Sequence, residues 1–274
     1  MKPLNLSIVA AILVAPAAMA DDLKAASDAV YAKLHSPSFV PYKKPKQRIT
    51  EWIALGDSYT AGTGANGKGD DFAGEANRGK KSYPMKMSMD HDSWEFINGD
   101  KHLPQFSFHA YTSDTTKELK EEQLKQGIFK DDFGTARGQL FGKPQIATLT
   151  IGGNDALLAK ILNACVYQYW TAGDCDNTLD ELDKMISSNR LKYEVTLAIE
   201  HVVASGRLAG GATPAESFQV YIPEYVTFFS DDMGSKCDDY SWGTLWVHPK
   251  LTVRLRERLN EFTRRVNKII KDTA

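Results

Sequence analysis

Ile53-Ala54-Leu55-Gly56-Asp57-Ser58-Tyr59-Thr60-Ala61-Gly62 is the stretch from which the rest of this chain is read. An apolar run ends at Leu55, a glycine turns the backbone, and Ser58 sits where small residues let a helix begin. A hydroxyl so placed projects beyond the carboxyl end of a strand, where open α/β sheets bind their ligands. The helix N-terminus beside it offers free N–H groups and positive potential to a developing oxyanion. Alone, the triplet fits an ordinary strand-to-helix turn with a capping Asp or Ser equally well.

A second stretch changes that balance. Ile146 to Ile151 reads as a buried strand, Gly152-Gly153-Asn154-Asp155 as its turn, and Ala156 to Asn163 as the helix that follows. The grammar is repeated, again with a polar side chain at the turn. With both stretches in view, the chain resembles the SGNH (GDSL-type) hydrolases from about Ile49 to its C-terminus. Gly56-Asp57-Ser58 is similar to their nucleophile block, and Gly153-Asn154-Asp155 to the block that carries the oxyanion-hole asparagine. The two stand in the family's order, about one hundred residues apart. The secreted fungal members are the ones it resembles most. The resemblance implies Ser58 as the nucleophile of an esterase or lipase acting on carboxylic acyl esters. It implies the Ser58 N–H, a backbone N–H after the second strand and the Asn154 amide as oxyanion donors. Family members carry a glycine at that second position; strand register places Ser113 there. Ser82-Tyr83-Pro84 resembles an anchor that follows the family's long first loop. A cysteine pair frequent in the family falls on Asn77 and Tyr111, so that bridge is not expected.

Composition agrees with one globular domain. The 274 residues are 42% hydrophobic and 25% charged, with a formal net charge of −2, which excludes an electrostatic case for nucleic acid or an anionic membrane. Lys2, the apolar run Leu6–Val14 and Ala18-Met19-Ala20 read as a secretory leader cut after residue 20. No segment is long and apolar enough for a membrane span. The expected organisation is a leader at 1–20, an N-terminal arm at 21–48 broken by Pro37, Pro41 and Pro45, and a hydrolase-like domain at 49–274. In an oxidising compartment Cys165 and Cys175, flanking a short aromatic loop, are expected to pair and leave Cys237 over. No His/Cys cluster has metal spacing, and neither metal nor cofactor is expected.

Along the domain, Arg48–Leu55 and Phe106–Tyr111 read as strands, Lys117–Gln126 as a polar helix, and Leu179–Ser205 as one long helix. Phe218–Ile222 reads as a further strand, and Leu251–Ile270 as an amphipathic helix with Leu255, Leu259, Phe262, Val266 and Ile269 on one stripe. Strands alternating with helices argue for a three-layer αβα sandwich around a mainly parallel, doubly wound sheet. Tyr225, Phe228, Phe229, Trp242 and Trp246 fit an acyl pocket and a cover for the sheet edge equally well. Asp57 is expected to order its turn rather than to serve as a triad acid. Asp131-Asp132, Asp231-Asp232 and Asp238-Asp239 read as solvated pairs.

A serine needs a base to take its proton. The family supplies it in an Asp-x-x-His block after the last strand. None of His35, His91, His102, His109, His201 and His248 has an aspartate three residues before it. The last amphipathic helix leads into no strand, and Cys237 has no partner. These signs together give the expectation of a domain lacking its last strand and histidine block, and of a very weak esterase or none at all. His248, ahead of the last helix, is the alternative base. The Gly-x-Ser-x-Gly elbow of α/β-hydrolases is excluded by Thr60, and a chymotrypsin-like order by the early position of Ser58. The competing reading is a secreted, non-catalytic protein of the same fold that binds glycan or lipid.

Overall fold

The computed structural model describes residues 47–65, 71–72, 78–125, 129–130, 136–137, 142–167, 173–231, 234–241 and 250–274, with isolated positions between 24 and 37. The leader, most of the arm, Asn77, Asp131, Asp132, Asp232, Trp242, Trp246, His35 and His248 lie outside the described residues.

The main elements run β1 (Glu51–Gly56), α1 (Ser58–Ala61), α2 (Tyr83–Ser88), α3 (His91–Asn98), β2 (Gln105–Phe108), β3 (Ile146–Thr150), α4 (Leu158–Leu162), α5 (Cys175–Ser187), α6 (Arg190–Leu208), β4 (Gln219–Tyr221) and α7 (Val253–Thr273). The four strands form one sheet in the order β2-β1-β3-β4, and every pairing is parallel. Leu55 lies opposite Leu149 and Gly56 opposite Thr150.

Both faces of β1 are covered, which is why the strand reads as a nearly unbroken apolar run. Ile53 and Leu55 point into a large cluster with Leu149 and Ile151 of the β3 segment, Val195, Ile199 and Val202 of α6, and Leu259, Phe262 and Val266 of α7. Trp52 and Ala54 point the other way, into a smaller cluster with Trp94 of α3 and Ile146, packed by Met85, Met87 and Phe106. Trp52 is fully buried and stacks on Phe106 with ring centroids 4.4 Å apart. Helices on two faces of a parallel sheet give the three-layer αβα arrangement.

Some boundaries differ from the sequence reading. The stretch 179–205 is two helices, because Ser187-Ser188-Asn189 interrupts it. Ser188 is extended, with ψ 150°, and its N–H and Oγ both bond back to the end of α5. Hydroxyl and amide side chains compete with helix in this way. The polar helix after β2 is only Thr116–Glu118, capped by a Thr115/Glu118 box, and continues as a π-helical turn, Leu119–Gln123. α4 is also shorter than expected and continues as a π-helical turn, Asn163–Tyr167. Asp238 is not merely solvated: it accepts from the buried Arg256 at 2.9 Å and from the Val253 N–H that opens α7.

Cys165 and Cys175 are bonded to each other, and Cys237 is free and exposed. Among the described residues, no helix is long and apolar enough to cross a membrane.

Candidate active site

The strand order places a topological switch between β1 and β3, the position at which sheets of this winding open a crevice beyond their carboxyl ends. Ser58 follows β1 there and Asn154 follows β3. Ser113 comes from the loop after β2, on the other side of β1. These three, which the sequence reading had singled out, line one cleft of about 540 Å³. The same cleft takes Leu158 and Leu162 of α4, Tyr225 and Phe228 after β4, and Phe262 and Val266 of α7.

Gly56 makes the turn into Ser58 possible. Its φ is +137°, and a Cβ there would lie 2.3 Å from the Thr150 carbonyl oxygen and 2.6 Å from Thr60 Oγ1. The turn is locked by Asp57, which is 1% exposed. Its carboxylate accepts from the Tyr59 N–H at 2.9 Å as the N-cap of α1, and from the Tyr225 hydroxyl at 2.5 Å. The Tyr225 oxygen in turn accepts the Gly153 N–H at 2.9 Å. One tyrosine therefore ties the Ser58 turn to the Asn154 turn. Burial pushes the Asp57 carboxyl up to about 7, against the hydrogen bonds from Tyr225 and Tyr59. Burial, with Asp57 beside it, holds the Tyr225 hydroxyl well above its ordinary value.

Asn154 Nδ2 donates to the Asp114 carbonyl oxygen at 2.9 Å, which fixes the amide plane and leaves its second hydrogen for another acceptor. Asp155 braces the same region from the side. Its carboxylate accepts from the Thr116 N–H at 3.0 Å and the Thr116 hydroxyl at 2.6 Å, and burial raises its pKa. Ser113 carries φ +72°, a conformation that favours glycine and costs other residues about 1–3 kcal/mol. Ser113→Gly is therefore expected to raise stability by about 0.5–1 kcal/mol, part of the relief being offset by the freer unfolded chain. A denaturant midpoint that falls instead would show that the Ser113 side chain holds the loop.

Tyr225 and Phe228 line the cleft, whereas Phe229 packs into the core. Two asparagines one heptad apart on α7 grip this segment by its backbone. Asn267 bonds both the N–H and the carbonyl of Tyr225, at 2.9 and 2.7 Å. Asn260 does the same for Phe229, at 3.0 and 2.8 Å. Neither asparagine was legible as functional, yet both interrupt an apolar stripe, and a buried polar residue on such a stripe is the signal that was available. Tyr83 of the predicted anchor lies behind the turn, its hydroxyl 3.2 Å from Thr60 Oγ1 and 3.4 Å from Thr148 Oγ1.

Among the described residues, no histidine lines the cleft. His109 is buried with Nδ1 on the Gln123 carbonyl oxygen at 2.8 Å, His201 bonds back along α6, and His91 and His102 are exposed. His248 is outside the described residues. Among them too, no group of three or more His, Cys, Asp or Glu side chains could hold a metal ion.

No family model matches the chain. A lipase of Streptomyces rimosus is 30% identical over 124 residues, which is 45% of this chain and 37% of that protein. The match thus spans little more than a third of the relative's length. Among solved structures, the extracellular lipase from Streptomyces rimosus aligns with a TM-score of 0.55 at 21% identity, over 82% of this chain and 76% of that one. Phospholipase A1 from Streptomyces albidoflavus NA297 aligns with a TM-score of 0.55 at 23% identity, over 82% and 75%. Both structural likenesses are below 25% identity, and what they fix is the fold, an αβα arrangement that this chain shares with the two Streptomyces enzymes.

Proposed function

We propose that this protein is a secreted carboxylic-ester hydrolase that cleaves esters of apolar acyl chains through Ser58. The observation that carries the reading is that Ser58, Ser113 and Asn154, from three separate strand ends, share one cleft whose remaining wall is largely apolar. The similarity to a lipase and the fold shared with a phospholipase A1 support the same class.

Ser58 Oγ attacks the ester carbonyl carbon, and its proton passes to a base, for which His248 remains the candidate from the sequence. The carbonyl oxygen becomes an oxyanion, met by the Ser58 and Ser113 N–H groups and the free hydrogen of Asn154 Nδ2. Donors held in place before the charge appears stabilise it without reorganisation. Collapse expels the alcohol, and water then releases the carboxylic acid from the acyl-serine. The leader-like segment at 1–20 supports secretion.

A series of p-nitrophenyl esters of increasing acyl length tests the reading. Each methylene that enters the wall of Leu158, Leu162, Phe228 and Phe262 leaves water and contributes about 0.8 kcal/mol, roughly fourfold in kcat/KM. A steady rise until the cleft is filled is expected. A kcat/KM independent of chain length, or no cleavage of any ester, would overturn it.

A further inference from the structure

The sequence gives Gln123 no distinction, since it lies in a run of lysines and glutamates. The structure buries it to 2% exposure at the end of the π-helical turn. Every hydrogen-bonding group of its carboxamide is engaged behind the Ser58 turn. Oε1 accepts the Gly56 N–H at 2.9 Å, and Nε2 donates to the Gly56 carbonyl oxygen at 2.8 Å and to Asp114 Oδ2 at 2.7 Å. Gly56 lies past the last β1–β2 register pair, where Gln123 satisfies its N–H and shares its carbonyl oxygen with the Tyr111 N–H, 3.0 Å away. Asp114 is next in sequence to Ser113, and its carbonyl oxygen is the acceptor that orients Asn154. The backbone of Gln123 is itself fixed, because its carbonyl oxygen accepts from His109 Nδ1.

One amide thus holds the turn that carries Ser58, the loop that carries Ser113 and, through Asp114, the side chain of Asn154. We propose that Gln123 is a positioning residue that sets the spacing of the three oxyanion donors. It touches no substrate. The proposal rests on the ester-hydrolase reading. It goes beyond that reading in placing the geometry of the hole in a residue outside the cleft. A π-helical turn suits the role, because its wider ring moves one side chain out of helical register and aims it inward.

The test compares the full chain with Gln123→Met and Gln123→Glu. Methionine keeps the shape and loses all three bonds. Glutamate keeps the acceptor for Gly56 N–H, and stands in if the methionine variant does not fold. Two quantities are read: kinetics on one short-chain p-nitrophenyl ester, normalised to folded protein, and the binding of octanoate by calorimetry. A displaced oxyanion hole acts on the transition state, so kcat should fall about 10- to 100-fold with KM within about twofold. Octanoate, whose carboxylate seeks the same donors, should bind about tenfold more weakly. A kcat that does not change, or one that falls only in proportion to the folded fraction, would overturn the proposal. If the native chain shows no Ser58-dependent turnover, the hydrolase reading fails and octanoate alone decides. Weaker binding by the variants then upholds the role of Gln123, and equal binding, or none to the native chain, ends it.

Discussion

Ser58→Ala is expected to lower ester turnover by at least about 10³-fold and to leave the melting temperature unchanged. The hydroxyl is half-buried at the cleft, and no hydrogen bond among the described residues engages Ser58 Oγ. Its loss therefore removes chemistry without removing a structural contact. The turn itself is held by other groups: the Asp57 cap, the Gly56 conformation and the Gly62 N–H on the Ser58 carbonyl oxygen. The donors proposed for the oxyanion survive in the variant, because the Ser58 N–H belongs to the backbone and Asn154 is fixed by Asp114. What remains should be the residual assistance of an oxyanion hole to attack by water. A parallel His248→Ala variant separates the base from the nucleophile. A loss as large as that of Ser58→Ala assigns the base to His248, and an unaffected rate removes it from the mechanism. Undiminished turnover by Ser58→Ala would place the chemistry elsewhere.

How much of this was legible depends on the range of the interaction involved. The β1 and β3 units announced themselves through apolar runs ending in glycine and a polar residue, all local signals. Ser58, Ser113 and Asn154 were singled out by the family resemblance of the motifs at those strand ends, not by spacing alone. The break at Ser188 was hidden, because Met185, Ile186, Leu191 and Val195 keep an apolar period across it. The braces were hidden for another reason. Gln123 holds Gly56 across 67 residues, Tyr225 reaches Asp57 across 168, and Asn267 reaches Tyr225 across 42. Nothing in the neighbourhood of a glutamine in Lys-Glu-Glu-Gln-Leu-Lys marks it as buried. Such side chains are specified by the backbone groups left unpaired where strands end, and those are known only once the sheet is assembled.

Asp57 gives the largest expected effect on stability. Its turn-ordering role was read from its position, but its burial was not. A carboxyl group near 3.8 in the unfolded chain stands at about 7 in the folded one. The folded protein therefore holds a proton at Asp57 that the unfolded chain releases between about pH 4 and pH 7. Stability is greatest below that window and falls as pH rises through it, by about 4 kcal/mol for this residue. Asp57→Asn removes the titration while keeping an oxygen for the Tyr59 N–H. Thermal melts between pH 5 and pH 8 should show the native chain losing stability relative to the variant as pH rises. Parallel curves would mean that Asp57 stays ionised throughout. The same group bears on catalysis. A neutral Asp57 places no charge behind the Ser58 turn, whereas an ionised one would oppose an oxyanion forming nearby; Asp155 and Asp114 add to burial in opposing that ionisation. The buried hydroxyl of Tyr225 moderates that cost by donating to the carboxylate, and it holds Gly153 at the same time. The contact that joins the two turns of the site is thus also the one that lets a carboxyl group be buried beneath them.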